Sequence, residues 1–94
     1  MSINTIVKSN QNVYVMFSAE WCHPCAPIKS AFQKQSNLKS NCKFLLVNID
    51  DNPDDCIEYN ITSVPTVLYF NNGILVDRFN NSSISSFERF MNSH

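Results

Sequence analysis

Glycine is nearly missing from this chain, one residue in 94, and no long apolar run is present. No segment approaches the roughly 20 apolar residues that a membrane-spanning helix needs. The opening Met1-Ser2-Ile3-Asn4-Thr5-Ile6-Val7-Lys8 lacks the uninterrupted apolar stretch of a secretory signal, so a cytoplasmic protein is expected. Basic runs are missing as well, and the net charge is −1. That argues against nucleic acid and against an anionic membrane as partners. There is no linker, repeat or low-complexity tract. Asn and Ser together supply 25 residues, but they are scattered, which marks a compositional bias rather than a disordered tract. What remains, 44% apolar and 12% aromatic, suffices for one modest core. A single domain over residues 1–94, acting as a monomer, is expected.

Against that background Trp21-Cys22-His23-Pro24-Cys25 stands out. The apolar run Val13-Tyr14-Val15-Met16-Phe17 reads as a buried strand, and Ser18-Ala19-Glu20 links it to a helix beginning near Cys22. That placement puts the first sulfur at a helix N-terminus, where unpaired N–H groups and the dipole favour a thiolate. The second sulfur is close enough to close a small disulfide ring. A stabilised thiolate beside a partner thiol is the equipment for thiol–disulfide exchange. Zinc would need a second ligand pair, and Cys42 and Cys56 are too far apart in sequence to form a knuckle. They read as small semi-buried fillers. No metal or organic cofactor is expected.

The rest of the chain alternates helical and strand periods. Ile3, Ile6 and Val7 suit one face of a short helix. Ile28, Ala31, Phe32 and Gln35 trace a helical face between about Cys22 and Leu38. Phe44 to Ile49 reads as a second buried strand, Asp54 to Asn60 as a short helix. Thr66 to Phe70 and Ile74 to Phe79 flank Asn71-Asn72-Gly73, a strong hairpin signal. Ser85 to Met91 closes the chain as an amphipathic helix. The expected order is α-β-α-β-α-β-β-α.

At this point the chain resembles the thioredoxin family over nearly its whole length. Ala19-Glu20-Trp21-Cys22 with the following x-Pro-Cys matches the family's active-site signature. Val47-Asn48-Ile49-Asp50, Asn52-Pro53, Tyr59-Asn60-Ile61, Val64-Pro65-Thr66 and the Phe-Asn-Asn-Gly turn at 70–73 recur at matching spacing. The resemblance implies an α/β thioredoxin-like fold, here a four-stranded mixed sheet flanked by helices and lacking the family's first strand. It implies that Cys22 is the exposed attacking sulfur and Cys25 the buried resolving one. Pro65 would be a cis-proline facing the dithiol, and the Val64 backbone would pair with a bound substrate strand. Trp21, His23 and Pro24 complete the expected substrate surface. Clients would be disulfide-containing proteins, and electrons would come from an upstream reductase or a thiol pool. A disulfide oxidase or isomerase of the protein-disulfide-isomerase kind, and a binding module with a vestigial dithiol, stand as alternatives.

The chain departs from the family at several positions. Met16 replaces a buried Asp, Leu46 a nearby Lys, and Ser18 an aromatic. Asn81 takes the place of a glycine, as the next best residue for a left-handed backbone. A helix proline is missing at Ser30 while Pro27 appears earlier, predicting a bend in the first turns of the active-site helix. His23, as an imidazolium, would favour the Cys22 thiolate; a solvent-facing bystander is the other reading. The acidic run Asp50, Asp51, Asp54 and Asp55 reads as a solvated turn with charges at a helix N-terminus.

Overall fold

The computed structural model describes residues 3–94; Met1 and Ser2, which opened the reading of the N-terminal segment, lie outside them. Four strands form one sheet: β1 (Asn12–Ser18), β2 (Lys43–Asn48), β3 (Thr66–Asn71) and β4 (Ile74–Phe79). Four helices accompany them: α1 (Ile3–Ser9), α2 (Cys25–Leu38), α3 (Pro53–Glu58) and α4 (Ile84–Asn92). The element order is the one expected. Spatial order in the sheet is β2-β1-β3-β4, with β1 parallel to β2 and antiparallel to β3.

Strand alternation decides what each face buries. Tyr14 and Met16 of β1, with Val67 and Tyr69 of β3, pack with Ile28 and Phe32 of α2 and Phe87, Phe90 and Met91 of α4. Val13, Val15 and Phe17, with Leu68 and Phe70, pack on the other face with Ile3 and Val7 of α1. Partly buried Cys56, Tyr59 and Ile61 extend that second cluster. The central position of β1 therefore explains a strand apolar at every residue from Val13 to Phe17. The β3–β4 hairpin closes through Asn72 and Gly73, both at positive φ (53° and 83°), the conformation of a type I′ turn. A side chain with a Cβ at Gly73 would be strained at that φ.

Three expectations are corrected. Phe44 to Ile49 reads as a buried strand, but β2 is an edge, and Leu46 is 45% exposed. Asn81 is not among the positive-φ residues; instead its Oδ1 accepts from the Ser83 N–H at 2.7 Å, an Asx-type turn that leads into α4. The active-site helix begins at Cys25, three residues later than expected, with Pro24 at its N-cap. Pro27 is then the third helical residue, where a backbone N–H would be without an intrahelical partner in any case. The His23 carbonyl accepts instead from Ala26 N–H at 3.2 Å, and α2 is uninterrupted to Leu38. The bend expected from Pro27 has no lost hydrogen bond to cause it.

Candidate active site

The carboxyl end of β1 delivers the chain into a tight turn. Cys22 N–H donates to the Ala19 carbonyl at 3.1 Å, and Cys25 N–H to the Cys22 carbonyl at 3.2 Å. These bonds fold residues 19–25 so that the two cysteine Cα atoms stand 5.4 Å apart, joined by a disulfide. Both sulfurs are in their oxidised state. Cys25 is the first residue of α2 and is 1% exposed; Cys22, expected as an exposed sulfur, is 7% exposed. Opposite the disulfide, the Val64 carbonyl lies 3.8 Å from Cys22 Sγ. The Val64–Pro65 peptide bond is cis, and Pro65 is buried beside it. Packing of that loop against the motif covers Cys22, a long-range effect that no local pattern signals.

The disulfide rests on the core of the α2 and α4 face. Tyr14, Met16, Ala19, Ile28, Phe32, Val67 and Phe79 belong to the same buried cluster as both cysteines. Among the described residues the buried polar or charged side chains are Ser18 and Thr66, so no carboxylate or amine is buried there. Met16 is fully buried where an acid was the family's expectation.

Two hollows flank the Val64 loop. One, of about 350 Å³, is lined by Trp21, Ile49, Pro53, Cys56, Ile57 and Val64, among others, and is mostly apolar. The other, of about 360 Å³, is lined by Pro24, Val64, Pro65 and the Asn80–Ser82 turn. Trp21 is 62% exposed at the edge of the first, and its Nε1–H donates to Asp50 Oδ2 at 2.9 Å. This bond orients the indole and was missed from the sequence, where Asp50 belongs to an acidic run 29 residues away. His23 and Pro24 are exposed on the turn between the cysteines. Of the residues expected at the site, Trp21, Cys22, Val64 and Pro65 therefore converge on the disulfide, with Pro24 across the second hollow.

Cys42 and Cys56 are free thiols on opposite faces of the sheet. Among the described residues no group of His, Cys, Asp and Glu is placed to hold a metal ion. Burial pushes the Cys56 thiol above its ordinary value, with Asp55 and Asp50 adding to the shift. A thiol kept protonated is a weak nucleophile.

A disulfide between residues three apart, at the carboxyl end of a central strand and against the Val64 carbonyl, defines the class: a thiol–disulfide oxidoreductase of α/β architecture. The comparisons agree. The thioredoxin family model matches residues 2–93. A thioredoxin of Mycoplasma genitalium is 37% identical over 84% of this chain and 90% of its own length. A thioredoxin of Rickettsia bellii is 44% identical over 72% of this chain, a match spanning 66% of that protein. Among solved structures, a Plasmodium falciparum thioredoxin superposes with a TM-score of 0.91 at 30% identity, covering 97% of this chain and 89% of its own. The chain belongs to the thioredoxin family.

Proposed function

We propose that Cys22 is the attacking sulfur and Cys25 the resolving one in the reduction of client disulfides. The Cys22 thiolate attacks one sulfur of the client. The client S–S bond breaks, its other sulfur leaves as a thiolate and takes up a proton, and a Cys22–client disulfide remains. Cys25 then loses its proton and attacks Cys22 Sγ. The client's second sulfur leaves, and the Cys22–Cys25 disulfide is restored. The client gains two electrons and two protons, and an upstream reductase or a thiol pool returns them to the dithiol. Exchange between sulfurs calls for no metal or organic cofactor.

The observation that carries this assignment is the placement of Cys22 Sγ against the Val64 carbonyl while Cys25 is sealed in the core. A client strand laid along Val64 brings its sulfur to Cys22 first, since main-chain pairing at an exposed edge sets register. Trp21, His23, Pro24 and Pro65 form the surface around that point. The chain acts as a single domain over residues 1–94 and as a monomer, because its own helices cover both faces of the sheet. Two free thiols fit a reducing compartment such as the cytoplasm; no helix among the described residues is long and apolar enough to cross a membrane.

Turnover of a peptide disulfide, with dithiothreitol as electron source, tests the assignment. The native protein should accelerate reduction, and Cys22→Ser should abolish the acceleration. Full acceleration by Cys22→Ser would overturn it.

A further inference from the structure

Six of the eight acidic residues of this chain stand within two positions of residues that line one hollow. Glu20 adjoins Trp21, Asp50 adjoins Ile49, Asp54 adjoins Pro53, Asp55 adjoins Cys56 and Glu58 adjoins Ile57; all five neighbours line the apolar cavity beside the dithiol. Asp51 lies in the same turn. Asp55 is half-buried and the other five are exposed. Among the described residues the only ion pair is His94 with Asp77, and none of the six is paired with a described cation. Lys29 and Lys34 are on α2, and Lys39 and Lys43 are between α2 and the start of β2. Arg78 reaches towards the end of α3, but its guanidinium donates to the Tyr59 and Asn60 carbonyls at 2.6 and 3.2 Å.

Helix electrostatics accounts for only part of this cluster. Asp54 and Asp55 stand in the first turn of α3, where negative charge is favoured. Glu58 is the last residue of the same helix, where the dipole disfavours it, and Glu20, Asp50 and Asp51 are outside it. The carboxylates also act on the cavity itself, since Asp55 and Asp50 both contribute to holding the Cys56 thiol protonated. Ile57 of α3, 79% exposed, offers an apolar contact at the cavity mouth that its solvated position on the helix would not call for.

We propose that this cavity with its acidic rim is a docking subsite for a cationic client segment: an apolar side chain enters the hollow beside Trp21, and Lys or Arg residues flanking the client disulfide meet the carboxylates. The subsite shares Trp21 and Val64 with the dithiol, so it is continuous with the surface along which the client is laid. Charge complementarity of this kind acts mainly on encounter rate, and it is screened by salt. This inference rests on the exchange reaction proposed above and names its preferred substrate class.

The test compares two peptide disulfides of equal length, one with lysines and one with glutamates flanking the cystine, each with one Leu nearby. Reduction is followed at about 0.01 M and 1 M ionic strength, where the Debye length is about 30 and 3 Å. In the native protein the lysine peptide should be reduced roughly fivefold faster at low salt, and the ratio should approach one at high salt. The Asp51→Asn, Asp54→Asn, Glu58→Gln triple variant, which spares the Asp50 bond to Trp21, should show a ratio near one at both salts. A ratio near one in the native protein at low salt, or a ratio of five kept by the variant, would overturn the proposal. Reduction of neutral hydroxyethyl disulfide by the native protein separates the two failures: its turnover upholds the exchange reaction even where the charge preference is refuted.

Discussion

Single side chains decide how this site differs from others of its family. His23 lies between the two cysteines, exposed on the turn. A positive charge there would favour the Cys22 thiolate, stabilise the dithiol and make the disulfide a stronger oxidant. His23→Gly should therefore be more reducing than the native protein at pH 5.5, by roughly 20 mV or less for an exposed charge pair. Equilibration with a glutathione buffer measures both proteins, and equal potentials would make His23 a bystander. Tyr59 presents a different case. Its hydroxyl is buried and has no hydrogen-bond partner among the described residues, and its ring packs against Phe17 and Phe70. Tyr59→Phe should raise stability by about 1 kcal/mol, because it removes an unsatisfied polar group and keeps the ring. A denaturant midpoint lowered by the substitution would contradict that. The cysteine pair was legible from residue type and spacing, and Pro65 from the family resemblance. Asp50 was not: its bond to Trp21 spans 29 positions and has no local signature. The burial of Cys22 was equally hidden, since a loop 42 residues away provides it.

Elements were legible where period and punctuation agree. Asn72-Gly73 marks the hairpin because both residues tolerate positive φ, and the Phe87, Phe90, Met91 spacing marks α4. Strand position in the sheet was not legible. A continuous apolar run reads alike in the centre and at an edge, and only the tertiary pairing shows that β1 is covered on both faces while β2 is open along one side. The start of α2 was misplaced by three residues although Pro24 signalled it: a proline suits the first turn of a helix, not its interior. The same logic gives an expectation for Pro27. Because that position forgoes no intrahelical bond, Pro27→Ala should cost less than about 1 kcal/mol, through greater freedom of the unfolded chain. A gain of 2 kcal/mol or more in chemical denaturation would show that the ring strains the helix after all. At the other end, Ser83 Oγ accepts from the Ser86 N–H at 3.3 Å and caps α4. Ser83→Ala should lower stability by roughly 1 kcal/mol by the same assay.

For the molecule as a whole, protonation couples to folding mainly on the alkaline side. Burial, then Tyr69 and Cys42, pushes the Tyr14 phenol well above its ordinary value of 10.0. Burial, then Glu58 and Asp55, raises Tyr59, and Cys56 is raised from its ordinary 9.0. All three are acids that the folded state keeps neutral. As pH rises past 9, the unfolded chain loses these protons first, the folded state binds more protons, and stability falls with pH. The contribution is complete below about pH 9 and is lost above it. Denaturation of the oxidised protein at pH 7, 9 and 10.5 should show a midpoint that drops only at the higher values, and less steeply in Tyr59→Phe; a midpoint rising with pH would reverse the sign. The central claim concerns the division of labour between the two sulfurs, and a kinetic trap tests it most directly. With Cys25→Ser the mixed disulfide has no resolving thiol, so a peptide disulfide added to the reduced variant should accumulate as a covalent adduct. Mass spectrometry of the unreduced peptides should locate that adduct on Cys22. An adduct on Cys42 or Cys56, or none on Cys22 in this variant while Cys22→Ser forms one through Cys25, would contradict the assignment.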